Sequence, residues 1–321
     1  MEISVVIPTY RRPALLMNCL RCLEKQVLEK NRFEVIVVSD GYDAETESVL
    51  NEFMLKTPMQ IRYMHTPEKK GPAGARNMGW KAACADLVAF TDDDCRPEPS
   101  WLKSFLNHYS GELFVAFSGF TKVPVPAEPT DFALNTYHLQ TADFITANCA
   151  CSRQALLQTG GFDERFGTAW REDSDLEFAL IKHHIPVLKI HKAVVEHPVR
   201  HAPWGVSLKE QKKGIYDSLL YKKHPDLYRW RIQSTPLWNY YIIVFSYVFS
   251  TVAFIYGFKL IAAILAGVAL ILTLEFFLRR IRRSSKSPSH VTEMLVTSFL
   301  IPFLSVYWRL YGNLKYRTLL L

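Results

Sequence analysis

Acidic residues are scarce beyond residue 200. Residues 201–321 hold 5 Asp+Glu against 16 Lys+Arg, whereas residues 1–200 hold 26 against 22. The formal net charge of +7 therefore belongs to the last third of the chain. An enzyme acting on nucleic acid would carry that charge on the domain doing the chemistry, so no nucleic-acid partner is expected. Here the basic segment is also the apolar one, which points to a bilayer with anionic headgroups. Cysteines number only six, and Cys19-x-x-Cys22 has no second pair to complete a zinc site. The thiols read as buried small residues, without a disulfide framework. Neither G-x-x-x-x-G-K-[ST] nor G-x-G-x-x-G occurs, which excludes those two phosphate-binding loops. The chain opens directly on an apolar strand pattern, with no basic leader before an apolar stretch. Residues 1–230 are therefore expected to stay in the cytosol.

What is present is an alternation of strand and helix patterns. Residues 3–8, 33–39, 61–65 and 87–90 are short apolar runs that read as strands. Residues 13–25, 44–55 and 73–83 read as helices between them, with Asp43 a candidate N-cap for the second. This order predicts an α/β fold with a mainly parallel, Rossmann-like sheet. Ligands of such sheets sit beyond the carboxyl ends of the strands, and each polar cluster below lies at such an end. Further helices are expected at 152–159 and 174–184, and short strands at 187–190 and 194–195. Residues 121–131 are Pro-rich and read as an irregular crossing.

Three clusters carry candidate chemistry. Asp92-Asp93-Asp94 follows the fourth strand. Adjacent carboxylates repel one another and are stable together in water or around a cation. A solvated acidic loop is the plain alternative, but the position after a buried strand favours a hard divalent ion, Mg²⁺ or Mn²⁺. Glu172-Asp173 opens a helix; helix capping explains acids there, and so does a carboxylate placed to take a proton. Arg76, in Gly71-Pro72-Ala73-Gly74-Ala75-Arg76-Asn77, sits at a helix start, where an anionic ligand would account for a cation. His197 follows the last short strand and is a candidate metal or diphosphate ligand, or simply a structural histidine.

In order along the chain, these segments resemble the family-2 glycosyltransferases of the GT-A fold. The similarity runs from Val5-Val6-Ile7-Pro8-Thr9-Tyr10 through Val37-Val38-Ser39-Asp40-Gly41, Ala75-Arg76-Asn77 and Asp92-Asp93-Asp94. It continues through Ala147-Asn148-Cys149-Ala150 and Gly160-Gly161-Phe162-Asp163-Glu164 to Glu172-Asp173. The resemblance implies that Thr9, Asp40 and Arg76 hold the nucleotide, with Asp92, Asp93 and Asn148 also facing the donor. It implies Asp92 and Asp94 as the D-x-D pair around the metal and Asp173 as the base beside Glu172; His197, from its position after the last strand, is the candidate third metal ligand. Ser39 and Tyr42 depart from the family's D-D-G-S element, which leaves the nucleotide open among UDP, GDP and dTDP. A nucleotidyltransferase is the rival enzyme, but it would place a Gly-rich loop after the first strand, where Pro8-Thr9-Tyr10-Arg11-Arg12-Pro13 stands. A non-catalytic membrane sugar-binding protein has no need of both acidic clusters.

The C-terminal third predicts membrane attachment. Residues 237–258 contain no charge and 260–278 only Glu275, which makes a hairpin of two spans. Basic flanks at Lys222, Lys223, Arg229 and Arg231, and again at Arg279, Arg280, Arg282, Arg283 and Lys286, keep both ends cytoplasmic. Residues 291–311, interrupted by Pro302, read as an interfacial segment. The expected organisation is a catalytic domain at 1–200, a basic interfacial linker at 201–236 and a membrane region at 237–321. It sits at the plasma (inner) membrane with the catalytic domain on the cytoplasmic face. The linker carries Trp204, Tyr216, Tyr221, Tyr228 and Trp230 among lysines, the residue types of a headgroup layer. A lipid-linked acceptor is expected from that placement.

Overall fold

A computed structural model describes residues 1–320 and divides them into two compact units. The first comprises Met1–Pro124 and Tyr137–Val199; the second comprises Val125–Thr136 and the chain from Arg200 onward. The Pro-rich crossing thus belongs largely to the C-terminal unit.

The first unit is built on an eight-stranded sheet. Its strands are β1 (Ile3–Thr9), β2 (Phe33–Ser39), β3 (Gln60–His65), β4 (Leu87–Phe90), β5 (Arg96–Pro97), β6 (Ala116–Lys122), β7 (Cys149–Ser152) and β8 (Val187–Glu196). The spatial order is β3-β2-β1-β4-β7-β6-β8-β5. β1, β2, β3 and β4 are mutually parallel, β7 is antiparallel to both neighbours, and β8 runs parallel to β6. Every residue of β1 is buried because both faces are covered. Ile3, Val5 and Ile7 join the core beneath the helix Pro13–Glu24, while Val6 joins the opposite core beneath Pro72–Ala82. Gly79 allows that second helix to lie close, since a Cβ there would stand 2.4 Å from Val6 Cγ1. Asp43 does occupy the N-cap of Ala44–Met54, but its carboxylate accepts from the Thr46 hydroxyl and not from a backbone N–H.

The two short strands expected near residues 187–195 are one strand with a bulge. Its register against β6 jumps from Gly119↔Ile190 to Phe120↔Val194. A bulge leaves backbone groups unpaired. Here the Ala193 carbonyl accepts instead from Asn148 Nδ2 at 3.0 Å.

In the second unit, Trp238–Ile255 and Lys259–Ile281 form a helical hairpin around Gly257, whose φ of 83° supplies the left-handed turn. The expected interfacial segment is a single helix, Pro288–Tyr316, running unbroken through Pro302. Proline removes one backbone hydrogen bond, but packing of the helix against both hairpin helices holds it together. All three helices are long and apolar enough to cross a membrane, with mean hydropathy of 1.4, 2.5 and 1.4.

The third helix has an inverted pattern: its buried face carries His290, Thr297, Ser298, Arg309 and Asn313, and its exposed face Leu295, Phe299, Leu310 and Leu314. It touches both hairpin helices: Arg280 Nη1 donates to Thr297 Oγ1 (2.7 Å) and Ser298 Oγ (3.0 Å), and the Tyr247 ring lies 5.4 Å from that of Phe299. Its other side follows the linker, where Gly205 N–H donates to Glu293 at 2.7 Å and Ser218 Oγ to Asn313 at 3.0 Å. The linker breaks into Val206–Glu210, a tight turn and Gly214–Lys223. Tyr228, expected among headgroups, is fully buried edge-on against Tyr221; Trp204 and Trp230 remain exposed.

Candidate active site

Parallel registers bring the polar ends together. Thr9 pairs with Ser39 and Val6 with Phe90, so Asp40 and the Asp92–Asp94 turn leave the sheet at one edge. β7 begins at that edge because it is antiparallel to β4, with Phe90 opposite Cys149. The end of β8 arrives through β5, where Arg96 pairs with Glu196.

Arg76 stands at the centre. It is 1% exposed, and its guanidinium holds two carboxylates from distant parts of the chain: Asp92 at 2.7 Å and Glu172 at 3.0 Å. Burial disfavours its charge, but the two carboxylates more than offset this and raise its pKa. Arg76, expected at the nucleotide, bridges the two acidic clusters in this structure. Its helix starts at Gly71, where φ is 87° and an added Cβ would lie 2.6 Å from the Gly167 carbonyl. Asp40 pins that turn, accepting from Lys70 N–H at 2.7 Å and Gly71 N–H at 2.9 Å. Both Asp40 oxygens are thus engaged by backbone in this structure.

The three aspartates divide. Asp92 is partly open and paired with Arg76. Asp93 points inward, accepting from Thr9 Oγ1 at 2.8 Å and facing Arg12 at 3.4 Å. Burial pushes its pKa up to about 6 despite Arg12 and Thr9. Asp94 is buried beside His197 Nε2, at 3.8 Å, and Cys95. The donor atoms of Asp94, Cys95 and His197 lie within 4.8 Å of one another. A carboxylate, an imidazole and a thiol in that space are chemically suited to a divalent cation.

Glu172 and Asp173 open the helix Glu172–Lys182 directly after Arg171, a non-glycine residue held at φ 73°. Such a conformation costs about 1–3 kcal/mol and persists where surrounding structure imposes it. Burial is the main reason both carboxyl pKa values lie above the usual range; for Glu172 the neighbouring Asp173 adds to it, and Ser174 N–H partly offsets it for Asp173. Asp173 is half-buried, with Ser174 N–H donating at 2.7 Å.

Asn148, expected to face the donor, is fully buried, and its amide is shared among three protein groups. Nδ2 donates to the Phe120 and Ala193 carbonyls, and Oδ1 accepts from Trp101 Nε1 at 2.8 Å. It therefore plugs the β8 bulge. Asn148→Ala should cost about 3 kcal/mol or more, because each buried group left unpaired costs about 1–3 kcal/mol. Thermal unfolding of the purified chain checks this, and the donor KM of the folded fraction should stay as it was.

Sequence reasoning gives no role to Arg12, Asn77 or Phe162. Asn77 Nδ2 donates to the Phe162 carbonyl and to Glu164, tying the Gly160–Glu164 turn beneath Arg76. The Phe162 ring lies 5.7 Å from the Arg76 guanidinium.

Comparison with known proteins agrees with this architecture. Residues 4–159 match the family model described as glycosyl transferase family 2. The chain is 29% identical over 196 residues to the pre-mycofactocin glycosyltransferase of Mycobacterium tuberculosis, covering 56% of this chain and 39% of that protein. It is 28% identical over 273 residues to the validoxylamine A glucosyltransferase of Streptomyces hygroscopicus, covering 70% of this chain and 57% of that one. It thus spans about two fifths to three fifths of these relatives' lengths. Among solved structures, a mannosyltransferase from Pyrobaculum calidifontis, in complex with GDP-Man and Mn²⁺, superposes with a TM-score of 0.64. That match has 16% identity and covers 97% of this chain and 88% of the other, so it speaks for the fold. The first unit has the GT-A fold. Within it, residues 4–159 are of the glycosyl transferase family 2 type.

Proposed function

We propose that the chain is an inverting, metal-dependent glycosyltransferase that moves a sugar from a UDP-, GDP- or dTDP-sugar to a lipid-linked acceptor. The observation that carries this is the Arg76 bridge, which ties the D-x-D turn to the Glu172–Asp173 pair at one edge of the sheet. In this reading residues 1–200 are catalytic, 201–236 form the interfacial linker and 237–321 the membrane region.

Asp92 and Asp94 would hold Mg²⁺ or Mn²⁺ with the donor diphosphate, with His197 completing the set, and a bound ion would supply positive charge against that developing on the leaving diphosphate. Asp173 takes the proton from the acceptor hydroxyl, opposite the leaving group, and a single displacement then inverts the anomeric carbon. Glu172 holds Arg76, and Arg76 holds Asp92, so the base and the metal side keep a fixed relation. Thr9 and Arg12 set Asp93, and Asp40 sets the turn before Arg76. These residues position the donor cleft through its frame.

The hairpin crosses the bilayer with its basic ends on the cytoplasmic face. The third helix lies along that face: the charged linker follows one side of it, and its outward Leu295, Phe299, Leu310 and Leu314 dip into the acyl layer. Supplying a labelled donor together with membrane lipid extract and soluble sugars tests the acceptor. Label is expected in the organic phase, on a product of inverted configuration. Label in soluble sugars alone would contradict a lipid acceptor, and retained configuration would contradict the single displacement.

A further inference from the structure

Cys95 belongs to the buried core, and its thiol also borders the acidic turn and His197. It follows Asp94 directly and leads into β5, which runs antiparallel to the end of β8. Arg96 pairs with Glu196 and Pro97 with Val195. One more step of that register sets Cys95 opposite His197, and directly opposed residues have side chains within contact of each other. Cys95 Sγ lies 3.9 Å from Asp94 Oδ1, and His197 Nε2 lies 3.8 Å from the same oxygen. All three residues are buried, at 0%, 5% and 8% exposure. The other ring nitrogen of His197, Nδ1, is buried with no hydrogen-bond partner, so no hydrogen bond fixes which nitrogen faces Asp94.

We propose that Cys95 is a metal ligand, giving this corner of the cleft a sulfur donor that binds zinc-like ions tightly alongside Asp94 and His197. The proposal deepens the reading that Asp94 holds a divalent ion, and rests on it. Zinc binds sulfur at about 2.3 Å and imidazole nitrogen at about 2.0–2.1 Å. Ligand atoms around such an ion stand about 3.5 Å apart, so the present spacing, within 4.8 Å, needs to close by about 1.3 Å or less. A free thiol, with an ordinary pKa near 8.5, carries its proton at neutral pH. As the metal–sulfur bond forms, the thiol proton leaves to solvent and no electron is transferred. An oxygen-only D-x-D site suits Mg²⁺ and Mn²⁺; a thiolate and an imidazole shift preference towards Zn²⁺, Cd²⁺ and Co²⁺. The cleft would then be sensitive to zinc even where manganese supports turnover.

The test uses the full chain in detergent, without donor, and reads metal binding alone. Zn²⁺ affinity is measured by competition with a chromogenic chelator, and Co²⁺ binding by its near-ultraviolet thiolate band. Losing a direct ligand should weaken Zn²⁺ binding by about tenfold or more in Cys95→Ser and abolish the cobalt band, while Mn²⁺ affinity changes little. Cys95→Ala, with thermal unfolding to confirm the fold, separates lost ligation from a polar group placed in the core. Unchanged Zn²⁺ affinity, or a cobalt band that survives in both variants, would overturn the proposal. Mn²⁺ binding that is absent in the unmodified chain would instead strike at the metal-dependent reading beneath it.

Discussion

Asp173→Asn should lower kcat by about 10²–10⁴ while donor affinity is retained, the range expected when a positioned base is removed. Asparagine keeps the size and still presents an oxygen to Ser174 N–H, which donates to Asp173 at 2.7 Å. The loss would therefore report proton transfer rather than a collapsed helix start. The pH profile gives the same residue a second signature. The base works deprotonated, and burial raises its pKa, so activity should fall off on the acid side at a higher pH than an ordinary aspartate's, near 3.9, would give. Steady-state kinetics against pH measure both. A variant within a few-fold of the unmodified rate, or an acid limb at the ordinary value, would remove Asp173 from that role.

Arg76→Met should cost about 3–5 kcal/mol, the usual penalty for breaking a buried ion pair from one side. Methionine replaces the apolar stem but leaves Glu172, 3% exposed, without its cation. Adding Glu172→Gln in the same chain should restore much of the loss, since no buried charge is then stranded. Activity should not return with it, because Asp92 is also released. Denaturant or thermal unfolding of the full chain, run beside the kinetics, separates the two effects. If the single variant loses under about 1 kcal/mol, the bridge is not holding the site.

The first half of the sheet was readable because β1, β2 and β4 are continuous apolar runs with turn chemistry at their ends. β6 and β7 gave no comparable signal. Cys149-Ala150-Cys151-Ser152 is small and mixed, and it becomes a strand only through its neighbours β4 and β6. The bulge in β8 looked like two strands because three residues intervene without a partner in β6. Among the candidate site residues, motif spacing could place Asp92, Asp94 and Asp173 at an edge. It could not show that Arg76 reaches across 96 residues to Glu172, or that Asn148 serves a carbonyl freed by the bulge. Such pairings depend on the closed fold and leave no local pattern. Pro302 misled for the opposite reason: its local signal breaks helices, and tertiary packing outweighed it.

The central claim is that the acidic cleft holds a divalent ion and a nucleotide sugar together. Its most direct measurement is release of nucleoside diphosphate from a panel of nucleotide sugars by the purified chain, with Mn²⁺ or Mg²⁺ and then with excess EDTA, beside Asp94→Asn. Release from one donor that requires the metal, is lost in EDTA, returns on adding metal back, and is absent in Asp94→Asn is the result expected. Full turnover in EDTA, or in Asp94→Asn, would contradict it.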